Sequence, residues 1–185
     1  MSSERLIRIA APADAADIAA IYAPFVAITI VSFETEPPDE AETRARLENV
    51  LQRYPWLVCE QTGRVIGYAY ASQHRVRRAY QWSVDVAVYV DPNHQRGGIA
   101  RGLYCRLFEL LRQQGYYNAY AGIALPNPAS VGFHESMGFR PVGVYEQVGF
   151  KAGKWVDVGW WQLELQAKPA EPGEPGMRSP EGHPV

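Results

Sequence analysis

Cysteine is almost missing from this chain of 185 residues, for Cys59 and Cys105 are its only two. They fall in a predicted strand and a predicted helix, in neither a redox-type nor a metal-type spacing. A disulfide framework is therefore excluded, and two buried free thiols are expected. The four histidines, His74, His94, His134 and His183, have no second ligand at a zinc-like spacing. No metal is expected. An excess of one charge is also missing, since eighteen basic and twenty acidic residues leave a net charge of -2. That balance gives no general attraction for nucleic acid, and no nucleic-acid partner is expected. The longest uncharged stretch near the N-terminus, 18–32, is too short to cross a membrane and contains Pro24. Residues 1–5 carry no basic segment leading into an apolar core, so no secretory signal peptide is expected and the expected location is cytoplasmic. No fixed-period repeat occurs.

What is present is an ordinary globular composition, 47% hydrophobic and 21% charged, long enough for one domain with a substantial core. That domain is placed at 1–166. The remaining segment, 167–185, holds five prolines and three glycines with almost no apolar side chain, and is expected to be disordered. Within the domain, 5–9 reads as a strand and the alanine-rich 14–21 as a helix. Two prolines mark 32–38 as a loop. A helix follows, acidic at Asp39, Glu40 and Glu42 and closing at Arg53, with an apolar stripe of Leu47, Val50, Leu51 and Tyr54. The segments 56–60 and 65–71 read as a hairpin, 82–90 as a strand, and 98–114 as an amphipathic helix capped by Gly115. After a strand at 119–124, Asn127 and Pro128 start another helix, which Gly138 ends. Strands at 140–147 and 154–165 pair across a loop rich in Gly and Lys. The sum is an α+β domain around one mixed sheet.

Two features carry chemistry. The order of strand, turn, Gly97, Gly98 and helix leaves backbone N–H groups free for an anion, with Arg96 and Arg101 beside them. A simple strand-to-helix turn is the competing reading, and neither a P-loop nor a three-glycine dinucleotide fingerprint is present. In the strand before it, Val84, Val86, Val88 and Val90 share one face while Asp85, Ala87 and Tyr89 share the other. Asp85 thus looks buried, and a buried acid is paired, hydrogen-bonded or raised in pKa. Both a structural ion pair and a catalytic base meet that description.

Gln95, Arg96, Gly97, Gly98, Ile99 and Ala100 resemble the Gln/Arg-x-x-Gly-x-Gly/Ala signature of the GNAT superfamily of N-acetyltransferases. Asn127, Pro128, Ala129 and Ser130, followed by His134 to the Gly138-Phe139 pair, resemble that superfamily's later helix. Ser83 to Val86, Ala124 to Asn127, and the segment 149–162 resemble the phosphinothricin and methionine sulfoximine acetyltransferases, a resemblance covering 7–165. It implies the GNAT fold, with a mostly antiparallel sheet splayed after Val86 and flanked by helices. It also implies acetyl-CoA as co-substrate. Val88, Tyr89 and Val90 would meet the pantetheine arm, and Arg96, Gly97, Gly98, Ile99, Ala100 and Arg101 the pyrophosphate. Asn127 and Ser130 would contact the cofactor, Asn127 in addition to capping its helix.

The same resemblance implies acetylation of the α-amino group of methionine sulfoximine, methionine sulfone or phosphinothricin. Other acceptors remain open: a polyamine, an aminoglycoside or a protein N-terminus. A CoA-binding sensor without catalysis is the non-enzyme reading. Only a neutral amine attacks a thioester, so a base is required, and Asp85 is expected to serve, directly or through water. His134 stands where related enzymes place an acid or base; a histidine merely packed on its helix is the alternative. Glu34, Arg75, Val76, Arg77, Asp85, Val86, Ala87 and Lys154 are the expected acceptor contacts, with Arg75 and Arg77 suited to a carboxylate. A solvated loop is the competing reading for the arginines. A homodimer is expected, whose partner subunit supplies some of these contacts.

Overall fold

Two tight turns with left-handed backbone shape the edges of the sheet. In the computed structural model, which describes residues 5–95 and 97–176, β1 (Arg5–Ile9) is followed by a hairpin of β2 (Trp56–Gln61) and β3 (Arg64–Gln73). Thr62 and Gly63 join the hairpin with φ of 52° and 77°. β6 (Arg140–Lys151) and β7 (Lys154–Glu164) join through Ala152 and Gly153, at 51° and 75°. Positive φ at both central positions matches the twist of the flanking strands. The predicted loop between the last two strands is therefore a two-residue turn. β6 runs past the predicted end at 147, across a bulge where Gln147 has φ 47°.

With β4 (Ser83–Val90) and β5 (Asn118–Leu125), the seven strands lie in the order β1-β2-β3-β4-β5-β7-β6. Only β4 and β5 are parallel. One face packs on α3 (Ile99–Gln113), whose Leu103, Tyr104, Leu107 and Leu111 are fully buried with Val84 and Val86 beneath them. Each such leucine contributes about 1.5–3 kcal/mol through burial. α4 (Pro128–Ser136) lies on this side too, through the contact of His134 with Tyr104. The other face packs on α1 (Ala15–Ile28) and α2 (Glu40–Leu51), where Ile18, Ile21 and Leu47 cover Trp56, Val58 and Tyr68.

The first helix exceeds its predicted end at 21 and carries Pro24 inside it. An interior proline costs about 3 kcal/mol in an isolated helix. Here the turn beyond it buries Val26 and sets Phe25 edge-on to the Tyr89 ring at 5.2 Å, so packing outweighs local preference. The expectation of two buried thiols is half corrected, because Cys59 is buried but Cys105 is exposed. Cys105 follows the buried Tyr104 on α3, and one step along a helix turns a side chain away from the core. Beyond β7, residues 167–176 form no helix or strand and lie over the base of the sheet. There Trp82 Nε1 donates to the Gly173 carbonyl at 2.7 Å, and Gly176 N donates to the Gln114 carbonyl at 2.8 Å. Arg96 and the rest of the predicted tail, 177–185, lie outside the described residues. Among the described residues, no helix is long and apolar enough to cross a membrane.

Candidate active site

β4 and β5 stay together for three residue pairs and then part. Ser83, Val84 and Asp85 pair with Asn118, Ala119 and Tyr120. Beyond them β4 remains paired to β3 as far as Val90, while β5 follows β7 as far as Leu125. The edge of β4 from Val86 onward is left without a strand partner on the β5 side, so its backbone groups are available to a ligand. Val86, Ala87 and Val88 face Ala121, Gly122 and Ile123 across a cavity of about 70 Å³. It continues into a groove of about 580 Å³ walled by Val88, Tyr89, Val90, Gly97, Gly98, Ile99, Ala100, Arg101, Asn127 and Ser130.

The groove's polar end is the start of α3. Gly98 precedes it with φ 76°, and no side chain caps the helix. The first N–H groups of α3 and its macrodipole therefore point at whatever occupies that end, which suits a phosphate. At Gly97 a Cβ would lie 2.8 Å from the Arg5 guanidinium, so a side chain there would displace the end of that arginine. Arg5 Nη1 donates to the Gly97 carbonyl at 2.5 Å and pins the loop from β1. Sequence reasoning missed this contact, which depends on the distant edge strand reaching the loop. Arg101 donates to Ser136 Oγ at 3.1 Å and ties α3 to α4.

Asn127 caps α4, its Oδ1 accepting from Ser130 N at 3.1 Å, and its side chain also lines the groove. His134 is buried. Its Nδ1 lies 2.8 Å from the Ser130 carbonyl and its Nε2 3.0 Å from the Tyr104 hydroxyl. A carbonyl only accepts, so Nδ1 carries the proton and Nε2 accepts from the tyrosine. Burial holds the His134 pKa below its ordinary value, which keeps the ring neutral.

Asp85 sits at the point of separation, on the face opposite α3. Its Oδ1 lies 2.6 Å from His74 Nδ1, with the two side chains 29% and 12% exposed. Asp85 is thus half-buried rather than sealed, standing at the last β4–β5 pair before the strands part. Burial raises its pKa, against the opposing pull of His74 and of the Arg75 charge. The His74 ring is stacked on Tyr120 at 4.3 Å and meets Tyr80 and Trp160 edge-on. His74 was not among the predicted site residues. It lies one residue beyond β3, and only the β3–β4 register brings it to Asp85.

The other predicted acceptor contacts separate. Arg75 places its guanidinium 5.4 Å from the Trp160 ring centre, near His74. It also lines, with Val76, Arg77, Arg78 and Glu174, a cleft of about 370 Å³ at the base of the sheet. Glu34 is taken up by Arg46, through bonds of 2.8 and 2.9 Å, and by the Tyr22 hydroxyl at 2.9 Å. Arg46 holds the Glu34 carboxyl below its usual range. Lys154 stands exposed at the hairpin turn and lines none of these cavities. Its neighbour across the turn, Lys151, instead donates to the carbonyls of Val26, Ser32 and Glu34 at 2.7, 2.6 and 2.8 Å.

Residues 7–160 match the family described as acetyltransferase (GNAT) domain. The chain is 42% identical over 175 residues to phosphinothricin N-acetyltransferase of Streptomyces viridochromogenes, spanning 93% of this chain and 95% of that one. It is 38% identical over 160 residues to L-methionine sulfoximine/L-methionine sulfone acetyltransferase of Salmonella typhimurium, spanning 86% and 94%. The crystal structure of a GNAT superfamily phosphinothricin acetyltransferase from Sinorhizobium meliloti, in complex with AcCoA, matches with a TM-score of 0.84 and 34% identity, covering 90% of this chain and 94% of that one. With its parted strands and the uncapped helix start beside them, this chain belongs to the GNAT family and is an acetyl-CoA-dependent N-acetyltransferase.

Proposed function

We propose that the enzyme acetylates the α-amino group of a small amino-acid analogue, namely methionine sulfoximine, methionine sulfone or phosphinothricin, and so detoxifies it. The observation that carries this reading is Arg75 beside the His74–Asp85 pair. A cation for the acceptor's carboxylate stands near a base for its amine. The names of the Streptomyces and Salmonella relatives point the same way. A cationic acceptor such as a polyamine or aminoglycoside would be better served by an acidic mouth.

The groove fits acetyl-CoA in three respects: the free β4 edge suits pantetheine amides, apolar Val88, Val90 and Phe133 suit the arm, and the α3 start suits the pyrophosphate. Bound acetyl-CoA supplies the acetyl group as a thioester. Arg101 adds charge at the phosphate end, and Asn127 and Ser130 bound the groove opposite β4. Asp85 serves the base role, directly or across a bridging group. His134, with both nitrogens held by Ser130 and Tyr104, stands neutral at the thioester end and fixes that wall; it donates a proton only by giving up one of those bonds. We assign Gly98 the task of presenting the α3 amides. Gly98→Val forces a branched residue to φ 76°, a strain of about 1–3 kcal/mol. The expected result is acetyl-CoA binding weakened at least tenfold in calorimetry, with the fold retained because a Cβ there meets nothing within 4 Å.

The decisive assay follows CoA thiol release with the three analogues, a polyamine, an aminoglycoside and an N-terminal peptide. Turnover with the analogues is the expected result, and turnover confined to the peptide or the cationic amines overturns the assignment. A homodimer completes the proposal. Val142, Val144, Phe150 and Trp155 on the terminal hairpin are exposed and apolar, and Lys154, remote from this chain's own cavities, would meet acceptor only from a partner subunit. Sedimentation of a monomer at assay concentration would remove that part.

A further inference from the structure

We propose that the general base is His74 Nε2, with Asp85 behind it as the positioning carboxylate. The inference rests on the acetyl-transfer reading above and identifies the bridging group as a side chain of this chain instead of a water molecule. Asp85 Oδ1 sits 2.6 Å from Nδ1, and a carboxylate that accepts from Nδ1 leaves the lone pair of the neutral ring on Nε2. Nε2 has no hydrogen-bond partner among the described residues, whereas both nitrogens of His134 have one. The ring is also placed and held. It lies flat on Tyr120, which is the last β5 residue paired to β4 before the strands part, and Tyr80 and Trp160 close on its edges. Arg75 Nη1 donates to the His74 carbonyl at 2.7 Å and fixes the backbone.

Proton affinity favours the same assignment. A base works best with a pKa near the operating pH, and an imidazole is far closer to neutrality than a carboxylate. The groups around the ring are Asp85 from β4, Arg75 from its own loop, Tyr80 from the turn before β4, Tyr120 from β5 and the uncharged Trp160 from β7. The acceptor ammonium gives one proton to Nε2, and the carboxylate stabilises the imidazolium formed. The amine nitrogen then bonds to the acetyl carbon as the carbon–sulfur bond breaks. Its second proton leaves with the thiolate, and His74 returns its own to water.

Two measurements test this. In the free enzyme labelled with ¹⁵N-histidine, NMR at slightly alkaline pH is expected to show His74 protonated on Nδ1 and bare on Nε2; the opposite tautomer overturns the proposal. His74→Asn keeps an N–H donor for Asp85 where Nδ1 stood but removes the base. Its kcat/KM for the acceptor is expected to fall about 100-fold at neutral pH. The acid limb of the wild-type pH profile should vanish, and the deficit should narrow at high pH, where the acceptor arrives as free amine. Acetyl-CoA affinity by calorimetry stays at the wild-type value. A variant with wild-type rate and an unchanged acid limb assigns the proton to Asp85 or water and overturns the proposal. Should the wild type acetylate none of the analogues, the acceptor reading fails by itself. The same comparison is then made with the amine it does acetylate, and the tautomer stands as an independent result.

Discussion

Asp85→Ala lowers kcat/KM for the acceptor by about 10²–10⁴-fold, the usual contribution of a positioned acid or base, and leaves acetyl-CoA binding unchanged. The separation of effects follows from the fold. Asp85 lies on the face of β4 away from α3, whereas the groove runs along the strand edge to the α3 start. Thiol release gives the first quantity and calorimetry the second; a matching loss in both would mean that the strand had been disrupted. Asp85→Asn adds a stability result. Burial raises the Asp85 pKa above its unfolded value, so between those two values the folded state holds the proton more tightly. Stability contributed by this group is complete at low pH and is lost as pH rises through that window, so at neutrality the ionised carboxylate is a net cost. The amide removes the cost. The variant should be nearly inactive yet melt higher at neutral pH, with the advantage shrinking as the pH falls into the carboxylate range. Equal melting at every pH would contradict the burial argument.

Sequence and structure agree where a pattern is local. The valine alternation in β4, the Leu103–Leu107–Leu111 stripe of α3, and the Asn127 cap depend on neighbours a few residues away, and each appears as read. The parting of β4 from β5 followed from the family resemblance, because no periodicity reports where two strands stop pairing. What stayed hidden depends on register between distant segments. His74 meets Asp85 through the β3–β4 ladder, Arg5 meets Gly97 across 92 positions, and Glu34 is drawn to Arg46 by the packing of α2. Arg75 and Arg77 both line the cleft at the base of the sheet, and Arg75 also reaches the Trp160 ring, a contact between distant segments that no local pattern reports. Pro24 misled in the opposite sense, since the local rule is sound but Val26 and Phe25 outweigh it.

Lys151→Met is expected to destabilise the enzyme by about 2–4 kcal/mol, since hydrogen bonds to a charged group contribute about 1.5–3 kcal/mol each and part of the loss is recovered by water. The ammonium joins three carbonyls, one from α1 and two from the loop that follows it. Val26 belongs to the last turn of α1, where a cation also complements the helix dipole. Ser32 and Glu34 belong to the loop that carries Val31 over both the cavity and the groove. The same joint is closed by Phe33 against Gly149, where a Cβ would lie 2.1 Å from the ring. Releasing the loop should therefore raise KM for acetyl-CoA and for the acceptor together, while kcat changes less. Lys151→Arg should rescue little, because a planar fork does not reproduce an ammonium that points its three protons at three separate carbonyls. Lys154→Met, three residues along and exposed, should change stability by less than about 0.5 kcal/mol. Chemical denaturation of the three variants checks the ranking, and equal midpoints for the Lys151 and Lys154 methionine variants would show that the clasp contributes nothing to the fold.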